Sequence, residues 1–540
     1  MRLPARATPS LLLALGLAGV LIHSAARFAL KAWLYLRSPY SRDYGEGCIL
    51  AMVQLLDERG TYFMDLRGYP YVHLNYPPVF PVLVWPLYRW LGPTLWVPRL
   101  LSVLATVGVV AAVYAIARPL GHSRAWAAAL AGVALCPWFV QTWAPLARVD
   151  MLAIFFSAAG LLAFTRGARL GTVFALFWLA FFTKHNALLA PAAVLLSLAL
   201  SGSPRRFAAA LAGFALPLAA LFGLLVLATH GEAYRHLVTY TAAAGFDWSR
   251  LGEGYGELLR VAWPLLLVLL FVLVARRRAG WAGGRAGALW IYWGLSLAGL
   301  ATIAKEGAVQ NYYVEPWVAT VLAAAAALPL LGERLGSTAR LALLLLAAAV
   351  AHYTHNWAHQ LPRAIANPDQ DAGFRRLWEV VRDTEGPILS ENLAVLVLNR
   401  RPVLVEPFGL LTLSRAGLLR TRPIVRDCET GVFEIVVVEG LLEGVPSLRE
   451  CLQAHYRLAE DLPPYRLLRP AGSESGAQRH AVAVSGGGFQ GGSQPISRMV
   501  AAVRAPIGRG ASAPPEVKAY SAMIRRPRSV SAASPFSRQQ

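Results

Sequence analysis

The chain has 540 residues, of which 56% are hydrophobic and only 15% charged, and it carries a formal net charge of +21. A chain this apolar has too little polar surface to face water all round, which excludes a water-soluble enzyme and points to an integral membrane protein. The positive charge is not read as a nucleic-acid footprint, because residues 471–540 hold nine Lys or Arg against two acids and much of the remaining excess lies in short gaps between apolar runs.

A membrane span needs roughly 20 mainly apolar residues. About eleven candidates follow one another, near 9–28, 98–117, 125–142, 150–165, 170–183, 187–203, 207–229, 261–275, 286–304, 312–331 and 339–354. The first has the Arg2 and Arg6 flank and the small-residue end (Ser24-Ala-Ala26) of a signal peptide, and it also suits an uncleaved span. Either way residue 30 lies outside the cytoplasm. Between the first two spans stands a long loop, 29–97. Within it Glu46–Glu58 has apolar residues at helical spacing, as expected of an interfacial helix ended by Gly60. Pro77-Pro78 opens a second helix over 79–91, too short to span.

The organisation expected is a polytopic α-helical membrane domain over residues 1–355. An extracytoplasmic α/β module follows over 356–470, with strand-like runs at Pro387–Ser390, Val403–Glu406 and Glu434–Glu439. A Ser/Gly/Pro-rich basic tail over 471–540 is expected to be disordered. The four cysteines leave room for one disulfide, Cys428 with Cys451, in the extracytoplasmic segment.

Charge is sorted by side. Arg118 and Arg124, Arg166 and Arg169, Arg205 and Arg206, Arg276 to Arg278, and Arg334 and Arg340 occupy alternate gaps, which the positive-inside rule assigns to the cytoplasm. The other gaps gather Asp43, Glu46, Arg148, Asp150, Lys184, His185, Lys305 and Glu315 with Tyr, Trp and Pro. Charged groups close to hydrocarbon are costly and tend to serve function. Lysine is rare here: Lys31, Lys184, Lys305 and Lys518 are the four in the chain, and two of them fall in this outer set.

Asp43 and Glu46 sit three apart at the start of the first loop helix. There they serve as N-cap and capping-box residues, as a general base, or as both. Arg148-Val-Asp150 reads either as an ion pair fixing a span end or as part of a site. Lys184-His185-Asn186 and Lys305, taken singly, read as snorkelling groups; as phosphate ligands Lys184 ranks ahead, since His185 and Asn186 add polar groups beside it while Glu306 adjoins Lys305 and could neutralise it. Together, cations suit a phosphate and a carboxylate suits removal of a hydroxyl proton.

These features resemble the GT-C superfamily of membrane glycosyltransferases, and within it the bacterial relatives of protein O-mannosyltransferases and of the lipid A aminoarabinose transferase. The resemblance covers residues 10–355. It rests on the carboxylates after the first span, the loop helix pair, Tyr76-Pro-Pro-Val79, Arg148-x-Asp150 and Asn311-Tyr-Tyr-x-Glu315. It implies an enzyme of the bacterial plasma membrane with its site facing outside. A hexosyl or pentosyl group would pass from a polyprenyl-phosphate donor to a lipid, glycan or protein acceptor, with inversion. Asp43 or Glu46 would be the base; Lys184, His185, Lys305 and Arg148 would hold the donor phosphate. Asp150, Tyr76, Asn311, Tyr312 and Glu315 would contact substrate. The family usually has adjacent Asp-Glu, whereas Tyr44 and Gly45 separate the two acids here, and Asn75 stands where relatives often carry a charge. The sequence leaves divalent-metal dependence open and assigns no metal ligands. The competing readings are a transporter, which calls for polar groups at the midplane and internal repeats, and a non-enzymatic polysaccharide-assembly protein.

Overall fold

The computed structural model describes residues 8–276, 285–331, 336–354 and 368–472. The tail expected to be disordered therefore lies outside the described residues but for its first two. The chain opens with helix α1 (Thr8–Arg37), followed in the first loop by α2 (Tyr44–Arg59) and α3 (Val79–Leu91). Eleven more helices run through the apolar region: α4 (Trp96–Ala117), α5 (Arg124–Val133), α6 (Trp138–Trp143), α7 (Asp150–Thr165), α8 (Leu170–Thr183), α9 (Leu189–Ser201), α10 (Pro204–Ala228), the single turn α11 (Glu232–Tyr234), α12 (Arg250–Arg276), α13 (Gly287–Gly299) and α14 (Val314–Leu331). The last apolar helix is α15 (Ser337–Tyr353).

Among the described residues six helices are long and apolar enough to cross a membrane: Pro9–Arg37, Trp96–Leu120, Pro204–Ala228, Arg250–Ala275, Gly287–Ala304 and Gln310–Leu331. The expected spans at 150–165, 170–183, 187–203 and 339–354 form shorter apolar helices. The expected span 125–142 is broken into α5 and α6, because Pro137 opens α6 in an extended conformation. Free backbone groups at membrane depth need partners. Here the Ala134 carbonyl accepts from the Trp317 indole (3.1 Å) and the Leu135 carbonyl from Gln141 (2.8 Å). Trp317 belongs to α14, the most enclosed long helix, whose Ala323–Ala327 run lets α12 and α13 approach closely. By contrast α10 exposes Leu211, Leu216, Leu221, Leu224 and Leu227, a face suited to lipid.

Beyond residue 368 the chain forms α16 (Pro368–Asp383), β1 (Ile388–Ser390), α17 (Leu393–Leu398), α18 (Pro407–Arg415), α19 (Arg422–Glu429), β2 (Ile435–Val438), α20 (Pro446–His455), β3 (Tyr456–Leu462) and β4 (Tyr465–Pro470). The sheet order is β1-β2-β4-β3, with β1 parallel to β2 and the other pairs antiparallel. Cys428 and Cys451 are disulfide-bonded, tying α19 to α20. The expected strand at 403–406 makes one bridge, Val405 with Tyr71 of the first loop, and joins no sheet. The β3–β4 hairpin escapes a pattern reading because β3 is mostly exposed and carries charge at successive positions.

The first-loop helix is not an interfacial helix with a free face. Ile49, Leu50, Met52 and Val53 of α2 are fully buried and share one core with the apolar helices and with Leu393, Ala394, Leu396 and Val397 of α17. The two helices meet at Gly47, where an added Cβ would lie 2.7 Å from the Ala394 nitrogen. Neither backbone can yield cheaply. We expect Gly47→Ala to lower stability by about 1–3 kcal/mol, the usual cost of overpacking, read as a drop in melting temperature in detergent; an unchanged melting temperature would mean that α17 does not seat on α2.

Candidate active site

Several of the polar residues grouped by the sequence meet near the first turn of α2. Asp43 has the extended backbone of an N-cap (φ −152°, ψ 144°) and accepts from the Gly45 amide at 2.8 Å. The same oxygen, Oδ2, accepts from Arg148 Nη1 at 3.1 Å; Oδ1 makes no bond among the described residues. Burial raises the Asp43 pKa above its ordinary value, and the Arg148 charge works against that rise.

Glu46, the other candidate base, is fully engaged. Arg99 of α4 grips both its oxygens (Nε–Oε1 2.7 Å, Nη2–Oε2 2.7 Å), and the Arg42 and Ala147 amides donate to it at 2.7 and 2.9 Å. Both side chains of the pair are completely buried. Burial works to raise the Glu46 pKa, but Arg99 and the two amides overcome it and hold the carboxyl below its usual value. In a capping box Glu46 would bond the Asp43 amide; it reaches one residue further, to Arg42. Arg99 also donates to the carbonyls of Tyr35 (2.5 Å), Ser38 (2.7 Å) and Tyr40 (2.7 Å), clamping the end of α1 to α2. Glu46 is thus placed as a structural carboxylate, and Asp43 is the one with an oxygen to spare.

Arg148 lies over Gly45, where an added Cβ would fall 1.0 Å from its Nη1. A side chain at 45, such as the aspartate of an adjacent Asp-Glu pair ending at Glu46, would expel the guanidinium, so the spacing Asp43-Tyr-Gly-Glu46 belongs with this arginine. Arg148 Nη2 donates to the Tyr76 hydroxyl at 3.2 Å, and the guanidinium faces the Trp143 ring at 5.0 Å. Its distance to Asp150 is 4.0 Å, longer than the ion pair the sequence offers as the bland reading.

Asp150 instead accepts from Lys184 Nζ (2.7 Å), Asn311 Nδ2 (2.8 Å) and the Trp143 indole (2.9 Å). Lys184 also faces the Tyr312 ring at 5.0 Å. Asp150, Lys184, Asn311, Tyr312 and Glu315, with Ser157, line a cavity of about 100 Å³. Glu315 accepts from Tyr292 at 3.1 Å, while Asn311 Oδ1 and Ser157 Oγ, both buried, have no partner among the described residues.

Lys305 stands apart from this cavity. It makes no side-chain hydrogen bond or ion pair among the described residues, and burial lowers its pKa. Its neighbour in sequence, Glu306, pairs with Arg415 of α18 at 3.2 Å instead of with the lysine. The Lys305 charge is felt at His73 and at His185, which bonds the Asn75 backbone and is held near a pKa of about 4, first by burial. Reading along the sequence favours Lys184 over Lys305 as a free cation; the contacts favour Lys305. The sequence reading also passes over Arg99, Tyr44 and Glu406. Of these Arg99 leaves a local signal, a charge at the head of an apolar span. Among the described residues no group of three or more His, Cys, Asp and Glu is arranged to hold a metal ion.

No family model and no curated protein matches the chain. Solved structures do. A crystal structure of ArnT from Cupriavidus metallidurans in the apo state aligns with TM-score 0.53 at 14% identity, over 84% of this chain and 98% of that one. The same protein bound to undecaprenyl phosphate aligns with TM-score 0.53 at 13% identity, over 85% and 99%. The chain has the fold of this GT-C enzyme, a lipid A aminoarabinose transferase, as the sequence resemblance leads one to expect.

Removing one partner of a buried ion pair strands the other charge and costs about 3–5 kcal/mol. Arg99→Met is therefore expected to destabilise the protein by that order in thermal unfolding. Adding Glu46→Met should restore part of the loss but not all, since the Arg42 and Ala147 amides stay unpaired. Full stability in the single variant would show the clamp to be dispensable.

Proposed function

We propose that the chain is a membrane glycosyltransferase that moves a hexosyl or pentosyl group from a polyprenyl-phosphate donor to an extracytoplasmic lipid, glycan or protein acceptor, by single inverting displacement. The observation that carries the reading is Asp43, a carboxylate held by Arg148 on one oxygen and, among the described residues, open on the other, in a fold shared with ArnT. Asp43 Oδ1 takes the acceptor hydroxyl proton while the acceptor oxygen bonds to the anomeric carbon. The bond from that carbon to the phosphate oxygen breaks, and its electron pair leaves with the lipid phosphate. Stabilising that departing charge with prearranged cations is a large catalytic term. Lys305, Lys184, Arg148 and His185 are the groups for it, and Asp150, Tyr76, Asn311, Tyr312 and Glu315 contact the substrate.

Two further observations support a lipid donor. One ArnT structure is of a complex with undecaprenyl phosphate. An apolar groove of about 490 Å³ runs between Pro78 and Val79, Trp178 and Phe182 of α8, and Leu221 and Leu225 of α10. In sequence its lining residues Pro78 and Phe182 stand two positions from Tyr76 and Lys184, so a polyprenyl tail in the groove would bring its phosphate toward the polar set. On this reading the apolar region supplies eleven spans with the N-terminus in the cytoplasm, the shorter helices included, and residues 356–470 form an extracytoplasmic module. The protein sits in the bacterial plasma membrane with its site outside.

The test is release of polyprenyl phosphate, followed by mass spectrometry, from the lipid-linked sugars of membranes that contain both the protein and its acceptor. Wild-type protein should consume one lipid-linked sugar. Asp43→Asn should lower turnover by roughly 10²- to 10⁴-fold, the contribution of a positioned base, with the Michaelis constant for the donor nearly kept. No consumption by wild-type protein that binds undecaprenyl phosphate would favour a transporter or an assembly partner.

For the cations, Lys305→Met should weaken undecaprenyl phosphate binding and slow turnover, and Lys305→Arg should restore it only partly, since a planar fork does not replace a compact ammonium. Full restoration by Arg in titrations of the lipid phosphate would mark Lys305 as a snorkelling residue.

A further inference from the structure

The residue between the proposed base and Gly45 is held from a distant part of the chain. Tyr44 donates its hydroxyl to Glu406 Oε1 across a separation of 362 residues, and the Phe408 amide donates to the Tyr44 oxygen at 3.2 Å. Glu406 is 3% exposed. It caps α18, accepting from the Phe408 amide (3.1 Å) and the Gly409 amide (2.6 Å). A Cβ at Gly409 would lie 2.4 Å from Glu406 Oε2, so glycine there makes the cap possible. The approach is fixed by backbone bonds two residues before Glu406 and on Glu406 itself, since the Tyr71 amide donates to the Leu404 carbonyl (2.8 Å) and the Glu406 amide to the Tyr71 carbonyl (2.9 Å).

A helix cap needs the two amides of α18 and nothing more. Glu406 does a second thing: it places an acceptor against the phenol of the residue next to Asp43. Burying a hydroxyl and a carboxylate together is costly unless they bond each other, and apolar residues at 44 and at the cap's rim would seat α18 on α2 without that cost. What the bond adds is direction, for it fixes how the first turn of α2 presents Asp43 to Arg148.

We propose that Glu406 is a positioning residue for Asp43: it arrives from the C-terminal segment, grips Tyr44 and sets the aim of the base. The proposal rests on Asp43 being the base. It also makes turnover depend on the seating of the C-terminal segment, which leaves a trace that can be measured.

Two substitutions separate positioning from packing because they cut different bonds. Tyr44→Phe removes the hydroxyl and leaves the cap of α18 whole. Glu406→Gln keeps a carbonyl oxygen for the phenol and sacrifices one of the cap bonds. With full-length protein and the polyprenyl phosphate release assay, Tyr44→Phe should lower kcat by about 10-fold or more, as small misplacements of reacting groups do, with KM for the donor within about twofold of wild type. Glu406→Gln should retain more turnover than Tyr44→Phe while losing more melting temperature. That opposite ordering supports positioning. Turnover of Tyr44→Phe equal to wild type, or activity that merely tracks melting temperature with Glu406→Gln the worse in both, would overturn it. Asp43→Asn run alongside tells the two claims apart: an inactive Asp43→Asn with a fully active Tyr44→Phe removes this inference alone, and an active Asp43→Asn removes the base assignment and this inference with it.

Discussion

A completely buried arginine beneath the first turn of α2 is the constraint on which the candidate site depends. Arg99 comes from the second long helix, yet its donors go to Glu46 and to the last carbonyls of α1 and the linker after it. A charge sealed from solvent is tolerable only if every donor finds an acceptor. The geometry of the α1–α2 corner is therefore set by the guanidinium fork. Once Glu46 is locked, its neighbours have little freedom. Asp43, three residues back, points to Arg148, and Tyr44 points to Glu406. Successive residues of one helical turn thus bind α4, the loop before α7, and the C-terminal segment.

The same turn explains why the membrane region and the C-terminal segment share a core. Helix α2 presents Gly47 to Ala394 and buries Ile49, Leu50, Met52 and Val53. A helix with both faces covered reads, in sequence, much like an amphipathic one lying on a membrane, because two charged ends and an apolar middle suit either setting. What distinguishes them is the glycine at 47, which has no use at a lipid surface and is needed where another backbone comes within contact distance.

How far the site can be read from the chain follows the range of the interactions. Asp43 as a helix cap, Pro77-Pro78 before α3 and the end of α2 at Gly60 are local and legible. So is the gathering of polar residues on one side, because topology alone sorts them. Which cation is matched by which carboxylate is not legible. Lys184 finds Asp150 across 34 residues, Glu306 is drawn to Arg415 rather than to the lysine beside it, and Tyr44 finds Glu406 across the length of the protein. Adjacency in sequence suggests Glu306 as the partner of Lys305, and the competing cation that takes it, Arg415, lies 109 residues further along the chain. The break between α5 and α6 was likewise hidden, since the residues that satisfy its carbonyls include Trp317, far along the chain.

The distribution of paired and unpaired charge bears on how such a site would work. Arg148 and Lys184 each have a carboxylate partner at 3.1 and 2.7 Å, so their charge is largely answered before any ligand enters. Only an interaction that is stronger in the transition state than in the ground state lowers the barrier. A cation already satisfied by Asp150 holds a phosphate in place but has less to give as negative charge grows on it. Lys305 has no such partner among the described residues, and burial disfavours its charged form unless an anion comes beside it. On the proposed reading, then, Lys184 and Arg148 define where the phosphate rests and keep Asp150 and Asp43 in line. On that same reading Lys305, unpaired among the described residues, keeps its charge for the phosphate as the bond to the sugar breaks.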